Sequence, residues 1–386
     1  MTVTPKIANR KLQNLHINFD EQDLKLIRHA FEADSFSGKS PIISDYEAVI
    51  SHYFDVPHAL ACCNGTVAIE LALKGLGLTS GAKVGLPPTA PIMTILPILN
   101  CGLEPVFYDV APDSFGPDLD DLTVLLVDGL DAIITVPMWG YPWDMEPLVR
   151  FCKSHNILLI EDCAHSFGTH MNGRKFGSFG DAAAFSTHER KLVSTGEGGF
   201  CLTPHKDVRT RMRTWQHHGA KTKDGAEFLG AALGTNYKLS PICAALGISQ
   251  FGKLDAKIQQ RQMTVAKLRD KLKAVHTLRE FKRFPGSEIN GYAMVYWYVG
   301  ETTAETRATE LGERGIQSDT VRYKYKPLYK EKAFRNYRRP CPNAERLISS
   351  IITLPCHEGL NDTDVHDIVN ITGDVFCNRH QIGKVA

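Results

Sequence analysis

No run of about 18 apolar residues occurs in this 386-residue chain, so nothing in it reads as a membrane span. Residues 1–19 also lack the apolar stretch of a signal peptide. The ten cysteines include one adjacent pair, Cys62-Cys63, but no CxxC. That spacing argues against a zinc site and a disulfide framework and fits reduced thiols. An excess of one charge is missing too: 44 Lys plus Arg face 43 Asp plus Glu, which leaves no global field to attract nucleic acid or a membrane surface. There is no internal repeat and no low-complexity tract. The GxGxxG fingerprint of a nicotinamide-binding turn is absent as well. Asn64-Gly65-Thr66-Val67-Ala68 stands where it would be needed. What remains is the expectation of a soluble cytoplasmic protein. Its 43% hydrophobic and 23% charged residues suit a large core, and its length suits a large domain plus a smaller one.

What is there centres on Phe185–Gly199, FSTHERKLVSTGEGG. Lys191 follows Ser186 by five residues and is followed by Gly196-Glu197-Gly198-Gly199. A lysine amine becomes a nucleophile when its pKa is lowered, and it can then hold an aldehyde cofactor. Glycines beyond it let the backbone turn sharply beside a flat ligand. The bland alternative is a surface lysine before a turn.

Upstream, the apolar stretch Ala59–Cys63 runs through Asn64-Gly65-Thr66 into an Ala/Leu-rich helix. Strand, glycine turn and helix N-terminus form an anion site from free N–H groups and the helix dipole. An ordinary helix capped by Asn64 or Thr66 is the competing reading. Strand-like runs at 83–86, 105–110, 132–137, 157–162 and 182–185 alternate with helices predicted at 91–99 (despite Pro97) and 143–155. Apolar strands alternating with helices imply a mainly parallel sheet covered on both faces, with ligands at the strands' carboxyl ends. Glu161 and Asp162 close one such strand, and alternation lets only one of them face the crevice. His165 follows, but no third ligand lies at usable spacing, so no metal site is expected.

The remainder reads as helices over 20–33 and 43–54, a hairpin turn over 173–178, a strand at 200–203 and a helix over 209–218. A polar loop over 221–230 comes next. A long helix enters at Ser240-Pro241, and a charged helix over 256–281 follows, with Leu268, Leu272 and Val275 on one face. From about residue 284 the texture is α+β: an aromatic strand at 292–299, helices over 303–314, 343–350 and 362–372, and a loop over 323–330 rich in Tyr, Lys and Pro.

The Gly-Thr turn at 65–66, Glu-Asp-x-Ala-His at 161–165, Ser-x-x-x-x-Lys-x-x-x-x-Gly-Glu-Gly-Gly at 186–199 and Gly-x-Asn-Tyr-Lys at 234–238 occur in one order. Over nearly its whole length the chain resembles the DegT/DnrJ/EryC1/StrS family of pyridoxal-phosphate sugar aminotransferases. The resemblance implies fold type I: a mostly parallel sheet flanked by helices in a large domain, 1–255, and a smaller α+β domain, 256–386. It implies pyridoxal 5'-phosphate as cofactor, carried by Lys191, which also shuttles the proton. It makes Asp162 the carboxylate that keeps the pyridine nitrogen protonated, and His165 a residue near the ring. Gly65, Thr66 and Ser186 become the phosphate cradle. Asn236 becomes a residue reaching the neighbouring subunit's phosphate, hence an obligate homodimer with shared sites.

The implied reaction moves an amino group from glutamate or glutamine to a keto-sugar, by family prevalence a nucleotide-linked one. A free cyclitol ketone of antibiotic biosynthesis is the second acceptor class. A non-catalytic cofactor-binding regulator is a third reading, which retention of Lys191 and Asp162 opposes. Three stretches depart from the family pattern. Pro88-Thr89-Ala90-Pro91 lacks the usual aromatic, Pro327-Leu328-Tyr329 ends without histidine, and Thr187-His188-Glu189-Arg190 precedes the lysine. The cofactor machinery is complete while the acceptor pocket is individual. Relatives with histidine in place of the lysine are dehydratases, and Lys191 sets this chain apart from them.

Overall fold

A computed structural model describes residues 11–377 apart from 33, 224 and 225. Its centre is a seven-stranded sheet of β1 (His58–Cys62), β2 (Lys83–Leu86), β3 (Glu104–Phe107), β4 (Ala132–Thr135), β5 (Leu158–Asp162), β6 (Ala182–Ser186) and β7 (Gly199–Thr203). Their order in space is β1-β7-β6-β5-β4-β2-β3. Neighbours from β3 to β6 pair parallel, and β7 lies antiparallel between β6 and β1. Every residue of β4 is buried, as expected for a strand with both faces covered.

The register brings the chemistry to one edge. Gly199 pairs with both Cys62 and Ser186, and Asp162 pairs with Ala184. The carboxyl ends of β1, β6 and β5 therefore open onto one crevice. Behind them the rings of Phe54, Phe167, Phe185, Phe200 and Phe251 pack together, with Phe185 and Phe200 stacked at 4.6 Å. Ser186 directly follows the phenyl group fixed in that cluster.

The helices are α1 (Glu21–Phe31), α2 (Pro41–Phe54), α3 (Gly65–Gly75), α4 (Ile92–Asn100), α5 (Leu119–Leu125), α6 (Glu146–Ser154), α7 (Lys206–Gln216), α8 (Pro241–Gly252) and α9 (Leu254–Leu272). A second, antiparallel sheet follows, with β9 (Met294–Tyr298) between β8 (Leu278–Glu280) and β10 (Ile351–Leu354). With it come α10 (Ala304–Glu313), α11 (Asp319–Arg322), α12 (Pro342–Ser350) and α13 (Asp362–Phe376). Among the described residues no helix is long and apolar enough to cross a membrane.

Three local expectations are corrected, and one helix is added. The helix expected over 256–281 ends at Leu272, because Leu278–Glu280 pairs with β9 and turns the apolar Val275 out of the helix. The segment expected as a polar loop over 221–230 forms a short ladder, Lys221–Lys223 against Ala226–Phe228, with residues 224 and 225 outside the described set. The hairpin turn expected over 173–178 sits at Asn172-Gly173, whose φ values of 50° and 78° are the left-handed pair that joins two short strands tightly. Helix α5 has no counterpart in the sequence reading, although Asp118 caps it through the N–H groups of Asp120 and Asp121. Of the helix expected over 20–33, residue 33 lies outside the described residues.

Candidate active site

The turn after β1 is both things the sequence offered. Asn64 caps α3 by accepting the Val67 N–H at 2.9 Å, and its carbonyl accepts that of Ala68. The amides of Gly65 and Thr66 are left at the helix's positive end without an intrahelical acceptor. Glycine at 65 is required by space: a Cβ there would stand 2.6 Å from Ser186 Cβ. Gly65 and Ser186 thus stand against each other at the start of α3, with Thr66 next in the chain.

Glu161 and Asp162 face opposite ways. Glu161 is fully buried and accepts the backbone N–H groups of Gly177, Phe179 and Gly180 at 2.7–2.8 Å. It braces the loop that leads into β6. Glu161→Ala leaves three buried donors unpaired, each costing about 1–3 kcal/mol. We expect that variant to unfold or to melt far below wild type in a thermal scan. A melting point within a degree or two of wild type would rule out the brace.

Asp162 turns to the crevice. Its Oδ2 accepts the Thr94 hydroxyl at 2.7 Å and its Oδ1 the Ala164 N–H at 3.3 Å. Burial pushes its pKa up, and those hydrogen bonds and the charge of Lys191 pull it back. Thr94, fully buried in the first turn of α4, had no signal in the sequence.

Lys191 is half-buried and its ammonium lies 5.7 Å from the centre of the Tyr292 ring. Among the described residues its Nζ makes no hydrogen bond or ion pair. Burial pushes its pKa down to about 8, against the opposing pull of Asp162 and Asp319. His165 stacks on Tyr292 with ring centres 4.2 Å apart, and its Nδ1 accepts the Trp139 N–H at 3.2 Å. Burial first, then the Lys191 charge, holds the imidazole well below its usual pKa. The neutral ring therefore carries its proton on Nε2. Trp139 makes that bond from a left-handed backbone conformation, φ 51°. Tyr292 is carried in by Asn290, which donates to the carbonyls of His165 and Phe167 and accepts the Tyr292 N–H. Asp319 also reaches this region. Burial pushes it up to about 6, while the hydrogen bond from Asn14 and the charges of Arg190 and Lys191 oppose the shift.

Gly65, Thr66, Ser186, Asp162, His165 and Lys191 thus share one crevice. Among the described residues Asn236 forms no hydrogen bond with any of them, although the carbonyl of the next residue, Tyr237, accepts the Cys63 N–H at 3.0 Å. Asn236 is exposed, and its Oδ1 accepts the Lys238 ammonium at 2.5 Å. Thr94, Trp139, Tyr292 and Asp319 were not found from the sequence. Each arrives from a distant segment, and only the aromatic texture at 292–299 hinted at any of them. Chemically the crevice offers an anion cradle, a buried acceptor for a protonated nitrogen, and an amine held partly neutral.

Residues 18–372 match the model of the DegT/DnrJ/EryC1/StrS aminotransferase family. The GDP-perosamine synthase of Caulobacter vibrioides is 30% identical over 357 residues, 91% of this chain and 94% of that protein. Among solved structures, Helicobacter pylori PseC, an aminotransferase involved in the biosynthesis of pseudoaminic acid, superposes with a TM-score of 0.87 at 23% identity, over 95% of this chain and 99% of that one. Spr1654 from Streptococcus pneumoniae in its PLP form gives 0.84 at 22% identity, over 96% and 100%. A family model matched over residues 18–372, on a mostly parallel sheet flanked by helices, makes this chain a member of the DegT/DnrJ/EryC1/StrS aminotransferase family.

Proposed function

We propose that the protein transfers an amino group from glutamate or glutamine to a keto-sugar, most simply a nucleotide-linked one, using pyridoxal 5'-phosphate. The observation that carries this reading is Lys191: an amine unpartnered among the described residues, with a pKa of about 8, beside a buried carboxylate and an anion cradle. The residues fit the cofactor. A phosphate suits the amides of Gly65 and Thr66 and the hydroxyl of Ser186, at a wall that a Cβ on Gly65 would fill. Asp162, ionised, is an acceptor only and suits a protonated ring nitrogen. Neutral His165 offers its Nε2–H toward the ring. Bound there, pyridoxal phosphate supplies an electron sink for the charge left when a carbon loses its proton.

The chain's own work is then limited and definite. Lys191 Nζ takes the proton from Cα of the amino donor. It later gives a proton to the acceptor carbon that becomes the amine carbon. Asp162 holds the ring-nitrogen proton throughout, and Thr94 and Ala164 fix its carboxylate. Tyr292 and Trp139 keep His165 oriented. The net exchange is amino acid plus ketone to keto acid plus amine. The domain division near residue 255 and a cytoplasmic location belong to the same proposal.

The test loads the purified protein with cofactor and offers glutamate or glutamine with UDP-, GDP- and dTDP-linked 4-keto-6-deoxyhexoses and free inososes. An aminated nucleotide sugar in the mass spectrum is the expected result. An aminated inosose instead would move the assignment to cyclitols. No amine transfer from either donor to any ketone would leave a binding-only protein.

We also propose a homodimer in which Asn236 serves the partner's phosphate. Among the described residues Asn236 forms no hydrogen bond with Gly65, Thr66 or Ser186 of its own chain, and exposed Phe228, Leu229 and Leu233 precede it. A two-fold interface would exchange the two asparagines. A Lys191→Ala/Asn236→Ala heterodimer should therefore recover about half of wild-type activity, since both lesions fall in one site. A heterodimer no more active than its parents, with Asn236→Ala alone clearly impaired, returns Asn236 to its own subunit.

A further inference from the structure

Helix α9 sets an ammonium against the segment of chain that carries Lys191. A charged helix ordinarily turns its charges to water, yet Lys257 is only 7% exposed and Arg261, one turn on, only 6%. Lys257 Nζ donates to the Leu192 carbonyl at 3.1 Å and to Gln250 Oε1. Leu192 directly follows Lys191 and is buried together with Val193. Backbone bonds close the neck of this loop, from the Thr187 N–H to the Gly198 carbonyl and from the Thr195 N–H to the Thr187 carbonyl, both at 2.8 Å. They leave the Leu192 carbonyl free, and among the described residues Lys257 is its one donor.

The ammonium is fixed from behind. Gln250 Nε2 donates to Asp23 Oδ1 at 2.9 Å and Lys253 Nζ to Asp23 Oδ2 at 2.7 Å, so the contacts run from α9 through α8 to α1. Four residues on, and so on the same face of α9, Arg261 pairs with Glu358 at 2.6 Å and donates from Nη1 to the Gly291 carbonyl at 3.2 Å. Gly291 precedes Tyr292, whose ring centre stands 5.7 Å from Lys191 Nζ. One helix face thus holds the backbone beside both members of that pair. The charged groups that face Lys257 are Glu358, Arg261, Lys253 and Asp23, yet among the described residues it forms no ion pair. Burying an ammonium on neutral acceptors is costly, and an apolar side chain would brace α9 at less cost. We propose that Lys257 is a positioning residue, which pins the Leu192 carbonyl and so fixes where the amine of Lys191 stands. Its effect on turnover rests on the amino-transfer reading above, whereas the placement of the amine can be measured without cofactor. A reacting group misplaced by about 1 Å can cost on the order of a hundredfold in rate.

Lys257→Met keeps most of the length and packing of the stem and removes the donor. In the cofactor-free protein, trinitrophenylation of wild-type Lys191, mapped across pH, should level off at about 8. In Lys257→Met it should level off about one pH unit higher or more, because a loosened loop lets water reach the ammonium and favours its charged form. In the loaded enzyme kcat should fall by about tenfold or more in both half-reactions, since Lys191 moves a proton in each, while both KM values stay within a few-fold. Gln250→Leu removes the acceptor that orients Lys257. It should move both measurements the same way by less, and it carries the test if Lys257→Met does not fold. Leu268→Ala, which opens a cavity under the same helix, is the control: it should lower the melting midpoint and leave the plateau in place. A plateau at the wild-type pH in folded Lys257→Met would overturn the proposal and leave Lys257 a brace. So would an equal shift in Leu268→Ala, which would trace the effect to lost stability. A wild type that transfers no amine, with the plateau still shifted in Lys257→Met, defeats the amino-transfer reading and leaves the placement standing.

Discussion

Asp162→Asn should fold, bind pyridoxal phosphate and transaminate slower by on the order of several hundredfold, about 3.5 kcal/mol of transition-state stabilisation. The substitution keeps the shape of the side chain and can still accept from Thr94, the 2.7 Å partner that fixes it. What it removes is the negative charge. Burial alone raises the Asp162 pKa, but an opposite charge within hydrogen-bond reach lowers it again, so the carboxylate and a protonated ring nitrogen stabilise each other. An amide in its place gives that proton no electrostatic support, and the electron sink weakens when proton loss from Cα needs it most. The loss should fall on kcat and kcat/KM together, because charge develops only on the way to the transition state. Thermal midpoint and cofactor content serve as controls. Near-normal turnover in a loaded, folded variant would reduce Asp162 to a loop brace like its neighbour.

The contrast between those neighbours shows how far the sequence could be read. Period-two alternation at the end of β5 required Glu161 and Asp162 to part, and they do, one to three backbone amides and the other to the crevice. The Gly65 turn was legible because strand, glycine and helix N-terminus are contiguous in the chain. Residues contributed by distant segments were not legible. Thr94 lies on α4, Trp139 in a left-handed turn after β4, and Asp319 beyond the second sheet's central strand. What seats them is packing between segments, such as Asn290 bridging to the His165 carbonyl, which has no local pattern. The same competition explains the shortened α9, where pairing of Leu278 with Tyr298 outweighs a helical periodicity that continued to Val275. The aromatic absent from 88–91 is informative in this light. Tyr292 stacks on His165 and lies under the Lys191 ammonium, so an aromatic face is supplied from elsewhere in the chain.

Lys191→Ala should abolish turnover, a loss of about 10⁴-fold or more, since it removes the carrier and the proton shuttle in one step. The wild-type lysine should be recognisable before any catalysis is measured. An ordinary lysine titrates near 10.4, whereas Lys191 sits at about 8 because burial disfavours its charged form. The folded value is lowered, so the neutral, nucleophilic amine gains as pH rises and levels off above about 8. At pH 7 the neutral fraction of Lys191 should exceed that of a surface lysine by roughly 200-fold, because a lower pKa multiplies that fraction about tenfold per pH unit. Limited trinitrophenylation of the cofactor-free protein, followed by peptide mapping across pH, reads this directly. Lys191 should react first, with a plateau above about pH 8, while surface lysines keep accelerating toward about 10. Lys257 is the internal comparison. It is more deeply buried and likewise lowered to about 8, but its Nζ is engaged by the Leu192 carbonyl at 3.1 Å and by Gln250, so it should stay unreactive. Borohydride reduction of the loaded protein should then mark Lys191 alone. A mark on Lys257 or any other lysine would move the chemistry elsewhere. Label on Lys191 without the early plateau would keep the carrier and discard burial as the source of its reactivity.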